Sequence, residues 1–207
     1  MAHHFGSLVF TPIIKALQEK YGSRHTYARM ELGSDAPDRL GPDEVAFIAE
    51  RDSFYMATTG ATGWPYIQHR GGPKGFLHVL DDQTLGFVDL RGNMQYVSAG
   101  NLEHNDRIAL FLMDYPSQSR LKILGHAEVH EDDDQARQLI EMLRMPGEKS
   151  PTERAILIHV EAFDWNCTQH ITPRYTQEEL NSAIEPVQRR IEELERENAR
   201  LRGCISA

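Results

Sequence analysis

The chain alternates apolar and polar positions at period two over several short runs, the signature of half-buried strands. Ser53–Thr59 is β-rich and ends at Gly60, residues 60–63 (Gly-Ala-Thr-Gly) form a hairpin turn, and Trp64–His69 returns as a second strand. Phe76–Leu80 and Thr84–Val88 form the next pair, joined by Asp81-Asp82-Gln83. Arg107–Met113 is strongly apolar, Arg120–His130 is a long strand with Gly125 at a bulge, and Ala155–Trp165 closes the core. Strands at this spacing, with no long helix between them before residue 133, predict an antiparallel barrel.

Period-3.6 patterning marks the helices. Thr11-Pro12 caps and opens one, with Ile13, Ile14, Leu17 and Tyr21 on a face expected to pack on the barrel and Gly22 closing it. Residues 23–42 read as polar and irregular, with Tyr27 and Leu32 as anchors; such a segment serves equally to cross to a partner subunit or to cover a site. Short helices are predicted at Pro42–Arg51 and Val97–Asn105, and an amphipathic one at Gln135–Met145. The tail places Ile184, Val187, Ile191, Leu194, Asn198, Leu201 and Ile205 at consecutive a and d heptad positions. Arg190 with Glu195, and Glu197 with Arg202, fall at g and e with opposite signs, as a parallel homodimer requires. A helix lying on its own domain is the other reading; the pattern favours self-association. Residues 174–183 are not basic, so this is no zipper-type DNA reader.

Composition narrows the function classes. With 207 residues, 40% hydrophobic and 26% charged, the chain suits one good core with appendages. A net charge of −9 argues against nucleic-acid or anionic-membrane surfaces. Two cysteines, Cys167 and Cys204, make neither a disulfide framework nor a metal pattern, and the ten histidines show no zinc spacing, so a cytoplasmic location is expected. His3 and His4 read as a fragment of a tag or as plain N-terminal residues.

The candidate chemistry lies between Trp64 and Asn105. Two glycine-containing polar segments, Gln68-His69-Arg70-Gly71-Gly72-Pro73 and Asp89-Leu90-Arg91-Gly92-Asn93-Met94-Gln95, sit at strand ends that adjacent strands can bring together. Arg70 offers a planar fork to a phosphate, glycine allows close backbone approach, and Asn93 and Gln95 add amide donors. By residue type alone, plain surface turns explain both segments better.

The order of features resembles the FMN-binding split-barrel family related to pyridoxamine 5′-phosphate oxidase. The similarity runs from about Asp52 to about His130. RDSFYMATTGATGWPYIQHRG is followed by GFLHVLDDQTLGFVDLRGN, GNLEHNDRIALFLMD and RLKILGHAEV. The resemblance implies an α+β, mainly β protein: an antiparallel split β-barrel with peripheral helices, to which the heptad pattern adds a C-terminal amphipathic or coiled-coil helix. The chain then divides into N-terminal helices and a cover segment (1–51), the FMN-binding barrel (52–175) and the C-terminal helix (176–207). The resemblance implies FMN as cofactor, with Arg70, Gly71, Asn93 and Gln95 near the phosphate and ribityl chain and Gln68, His69 and Asp89 as further cofactor-binding residues. Arg120 and Lys122 would lie on the strand facing a cofactor across a homodimer interface, and Trp165, Gln169 and His170 near the flavin ring. By residue type alone, His170 reads as a surface or capping histidine.

The expected function is an FMN-dependent oxidoreductase acting on a small molecule, with a non-catalytic FMN-binding or sensing module as alternative and a heme-binding barrel behind both. The Ser-Arg-Lys cluster and the C-terminal arginine motif of the vitamin B6 enzyme are not matched at Arg91–Gln95 or in HITPRYT. The likeness is therefore to the FMN-binding branch and not to the authentic vitamin B6 oxidase.

Overall fold

The computed structural model describes residues 4–32, 36–165 and 169–205. These divide into two compact units: residues up to Asp114 with Ser119–Gln169, and Tyr115–Gln118 with His170 onward.

The first unit is built on one seven-stranded antiparallel sheet. Its strands are β1 (Ser53–Thr59), β2 (Pro65–Gly71), β3 (His78–Val79), β4 (Thr84–Leu90), β5 (Arg107–Asp114), β6 (Ser119–His130) and β7 (Thr152–Trp165). Their spatial order is β2-β1-β5-β6-β7-β4-β3. The two edge strands, β2 and β3, are consecutive in sequence and joined only by residues 72–77. That short link holds the two ends of the sheet near one another, while no ladder closes them: this is the split barrel. Strand alternation builds its core, with Phe54 and Met56 of β1, Leu110 and Leu112 of β5, Leu121 and Ile123 of β6 and Leu85 and Phe87 of β4 all buried. Phe54 stacks on Phe76 at 5.5 Å and meets Phe87 edge-on at 5.3 Å. The register between β6 and β7 slips between Leu124 and Gly125, which is the bulge the sequence signals. A Cβ at Gly125 would stand 2.5 Å from the His159 carbonyl oxygen, so glycine lets the two strands close there.

Strand β7 begins three residues earlier than expected, at Thr152, and β3 is much shorter than expected. Phe76 and Leu77 are not strand residues; they are buried core side chains in the link, and only His78–Val79 pairs with β4. The turn at Gly75 (φ +80°) sets this, because it directs the chain inward before the ladder begins.

The helices of this unit are α1 (His4–Val9), α2 (Pro12–Lys20), α3 (Arg24–Tyr27), α4 (Pro42–Ala49), α5 (Val97–His104) and α6 (Asp134–Leu143). His4 is no free tail residue. It is buried, its Nε2 lies 2.8 Å from Glu161 Oε1 on β7, and its backbone N–H donates to Asp38. The α2 face expected to pack on the barrel does not: Ile13, Leu17 and Tyr21 are exposed, and no α2 residue is buried. The helix meets α3, which occupies a stretch that read as irregular, and Leu32 is 83% exposed instead of anchored. Lys15 and Arg24 both pair with Glu31, so ion pairs rather than apolar burial tie this arm together.

The second unit contains α7 (Gln177–Ile205), a single 29-residue helix. Thr176 and Glu179 form a reciprocal capping box: Thr176 N–H donates to Glu179 Oε2 at 2.7 Å, and Glu179 N–H donates to Thr176 Oγ1 at 3.2 Å. Cys167 lies outside the described residues. Among those residues, no helix is long and apolar enough to cross a membrane.

Candidate functional site

The open end of the barrel carries a polar cleft. Register places it: Phe54 pairs with Arg70, Met56 with Gln68 and Thr58 with Tyr66, so these three β2 side chains share the inward face of the sheet. On β4, Asp89 follows Leu85 and Phe87 on the inward face and is buried. Strand β3 covers only Leu85 and Gly86 of β4. Beyond that point Arg70 reaches across the split and pairs with Asp89, its guanidinium carbon 5.9 Å from the centre of the Phe87 ring. The cleft encloses ≈ 420 Å³ of empty space, part of it open to solvent, and residues 92–99 and the start of β7 complete its lining.

Residues 92–96 are the loop into α5, and 97–99 are its first turn. Met94 (φ 57°) and Tyr96 (φ 53°) are both left-handed, a conformation that costs a non-glycine residue energy and recurs at ligand sites. Tyr96 occupies the N-cap position without capping the helix through its side chain. The first turn of α5 lines the cleft through Val97, Ser98 and Ala99, and an uncapped first turn carries the helix's partial positive charge. Ser98, buried in that turn, donates to Gln68 Oε1 at 2.9 Å and fixes the helix against β2.

Carboxylates balance the cations. Glu153 accepts from Arg91 Nε at 2.9 Å and from the Tyr96 hydroxyl at 3.0 Å, and Arg154 Nη2 lies 3.4 Å away. The Arg91 hydrogen bond, with help from Tyr96 and the two guanidinium charges, holds Glu153 below the usual carboxylate range, while its own acceptor role pushes the Tyr96 hydroxyl up. Asp89 goes the other way: burial raises its carboxyl above the ordinary range, and Arg70 and Arg154 pull back only part of that.

A raised folded-state value means that the folded protein takes up this proton first as pH falls. Asp89 thus adds stability that is fully present below the unfolded carboxylate range and lost as pH rises through its folded value. Replacing it by asparagine removes that dependence. The difference in urea midpoint, wild type minus Asp89→Asn, is expected to grow in favour of wild type between pH 7 and pH 4; a flat difference would contradict the burial argument.

Of the residues the sequence points to, the structure brings Gln68, Arg70, Asp89, Asn93 and Gln95 to one cleft. His69 and Gly71 lie on the opposite, exposed face of β2, where His69 meets the Tyr55 ring at 5.6 Å. Arg120 and Lys122 are on the outward face of β6. Lys122 pairs with Asp164 at 2.9 Å and stands 4.7 Å from the Phe5 ring, while Arg120 lies 5.9 Å from the Phe111 ring with its Nε buried and unpaired among the described residues. Trp165 donates to Glu44 at 2.6 Å. His170 belongs to the second unit, in a left-handed conformation (φ 64°). Tyr66, Tyr96, Ser98, Glu153 and Arg154 were not anticipated. Counting back by two from Arg70 and Gln68 reaches Tyr66; the β7 pair sits before the apolar run, where the pattern gives no strand signal.

The cleft's donors suit a phosphorylated ligand. Arg70 Nε is buried without a hydrogen-bond partner among the described residues, and the uncapped first turn of α5 faces the same space. The carboxylates do not oppose this, because Asp89 and Glu153 are each held by guanidinium groups. Among the described residues no group of three or more His, Cys, Asp or Glu side chains is placed to hold a metal ion.

The family model described as pyridoxamine 5′-phosphate oxidase matches residues 40–166. No curated protein matches the chain. Among solved structures, a candidate pyridoxamine 5′-phosphate oxidase from Lactobacillus delbrueckii is 25% identical, with 61% of this chain and 93% of that one covered and a TM-score of 0.48. HupZ of group A Streptococcus is 19% identical, covering 66% and 100%, with a TM-score of 0.47. A Clostridium acetobutylicum protein of the pyridoxine phosphate oxidase family, related to general stress protein 26 of B. subtilis, is 17% identical, covering 63% and 88%, with a TM-score of 0.47.

Proposed function

Because the chain belongs to the pyridoxamine 5′-phosphate oxidase family, we propose that it is a flavoprotein that binds FMN through the β2–β4–α5 cleft and uses it to oxidise or reduce a small organic molecule. One observation carries the reading: a half-buried arginine whose buried Nε has no hydrogen-bond partner among the described residues, beside a helix N-terminus that no side chain caps, which is a phosphate-shaped set of donors. Arg70 and the α5 amides would hold the phosphate, with Gln68, Asn93 and Gln95 along the ribityl chain. Bound FMN supplies the hydride or electron chemistry, so the protein's tasks are to hold the ring, orient it and limit water.

The cleft is small for a whole flavin, and a second copy of the chain would complete it. The outward face of β2 and β1 offers exposed Ile67 and half-exposed Tyr55 for such contact. His69, Arg120 and Lys122 share that outward side of the sheet. Lys122 would act there as the cation near the flavin ring only by exchanging its Asp164 partner.

The test is spectroscopic, followed by turnover. The purified protein, or the protein titrated with FMN, should show flavin peaks and release FMN by mass. Reduction by a nicotinamide faster than that of free flavin would support oxidoreduction; binding without acceleration would leave the FMN-binding module. Failure to take up FMN, or a heme Soret band in its place, would overturn the reading.

A further inference from the structure

Helix α7 carries an apolar stripe that no described residue of the chain buries. Leu180, Ile184, Val187, Ile191, Leu194 and Leu201 are each 42–58% exposed in the single chain. They recur at alternating spacings of four and three, so the stripe stays in line along a helix ~43 Å long at 1.5 Å per residue. Pro186 falls at a c position, off the stripe, and interrupts the backbone ladder without entering the seam. An isolated helix this polar, with so much apolar surface in water, gains most by burying that stripe.

We propose that α7 pairs with α7 of a second copy of this chain as a parallel, in-register, two-stranded coiled coil. Charge selects this occupant. In register, Arg190 of one copy lies beside Glu195 of the other, and Glu197 beside Arg202, so both flanking pairs attract. Within one chain Arg190 pairs with Glu193, an exposed pair that exchanges at little cost. Asn198 selects the orientation. In a parallel pair it faces itself, and two amides satisfy each other; in an antiparallel pair it faces an apolar d-position side chain and is buried unpaired. The inference stands apart from the flavin reading, since no residue of the cleft takes part.

The test uses the full-length chain with Cys167→Ser and Cys204→Ser. Into it go Ile191→Cys at a, Leu194→Cys at d, or Arg196→Cys at the outer f position. Under mild oxidation at micromolar concentration, both seam variants should form inter-chain disulfides at least tenfold faster than the f variant. A barrel dimer cannot imitate this result, because the readout is α7 contact and not mass. Helix content by circular dichroism, compared with the parent, establishes that each variant is folded. Linkage at neither seam position, or at all three equally, overturns the pairing; linkage at only one of the two overturns the parallel register. Asn198→Leu should shift the sedimenting species toward higher order, and an unchanged mass would remove Asn198 as the selector.

Discussion

Arg70→Ala is expected to weaken FMN binding by roughly ten- to a hundredfold, the loss of charge-assisted hydrogen bonds worth ~1.5–3 kcal/mol. It also removes the partner of Asp89, whose side chain is only 11% exposed. An uncompensated carboxylate in that position costs about 3 kcal/mol at neutral pH. The two effects separate in the double variant. Arg70→Ala with Asp89→Asn leaves no stranded charge, so most of the stability should return while affinity stays low. Flavin fluorescence quenching and urea unfolding read the two quantities independently. Unchanged affinity in Arg70→Ala would remove the cleft from phosphate binding, whatever the protein's stability.

Phe54→Ala should be the most damaging single change in the core. The residue is 1% exposed and contacts both Phe76 in the edge link and Phe87 on β4. Deleting such a ring costs ~3–5 kcal/mol, because close-packed neighbours relax only partly into the cavity. For a unit of this size that corresponds to a fall in Tm of roughly 10 °C. A second effect follows from position: Phe87 lies beneath the Arg70 guanidinium, so a loosened Phe87 also loosens the clamp. A calorimetric Tm within about 2 °C of wild type would mean that the aromatic cluster does not bear on closure of the sheet.

Local pattern was enough for most elements, because burial on one face writes itself into the sequence at period two or 3.6. Ser53–Thr59 was read at its observed bounds, and the Gly125 bulge was legible because a glycine interrupts a long strand of alternating polar and apolar residues. Helix α1 was invisible for the opposite reason. Its buried anchor is a histidine whose partners, Asp38 and Glu161, lie 34 and 157 positions away. The exposed α2 stripe misled, since amphipathicity states that a face wants burial and not what provides it. The cleft was half legible. Gln68, Arg70, Asp89, Asn93 and Gln95 follow from the resemblance and from turn chemistry. Glu153 and Arg154 arrive from a strand far along the chain, and the Arg70–Asp89 pairing depends on how the sheet curls, which no local window contains.

The placement of the cleft on an edge strand has a consequence for dynamics. Strand β6 is hydrogen-bonded on both sides, to β5 and β7, whereas β2 is bonded only to β1. Amide exchange should therefore be slowest in the middle of the sheet and fastest at its two edges, β2 and the two-residue β3, where opening breaks a single ladder. Gln68 and Arg70 ride on one of these easily opened strands. A ligand that joins Arg70 to the α5 amides takes the role of the absent neighbour, and its binding free energy appears as protection of the strand it clamps. In this barrel, occupancy and the local folding of β2 are one equilibrium observed in two ways.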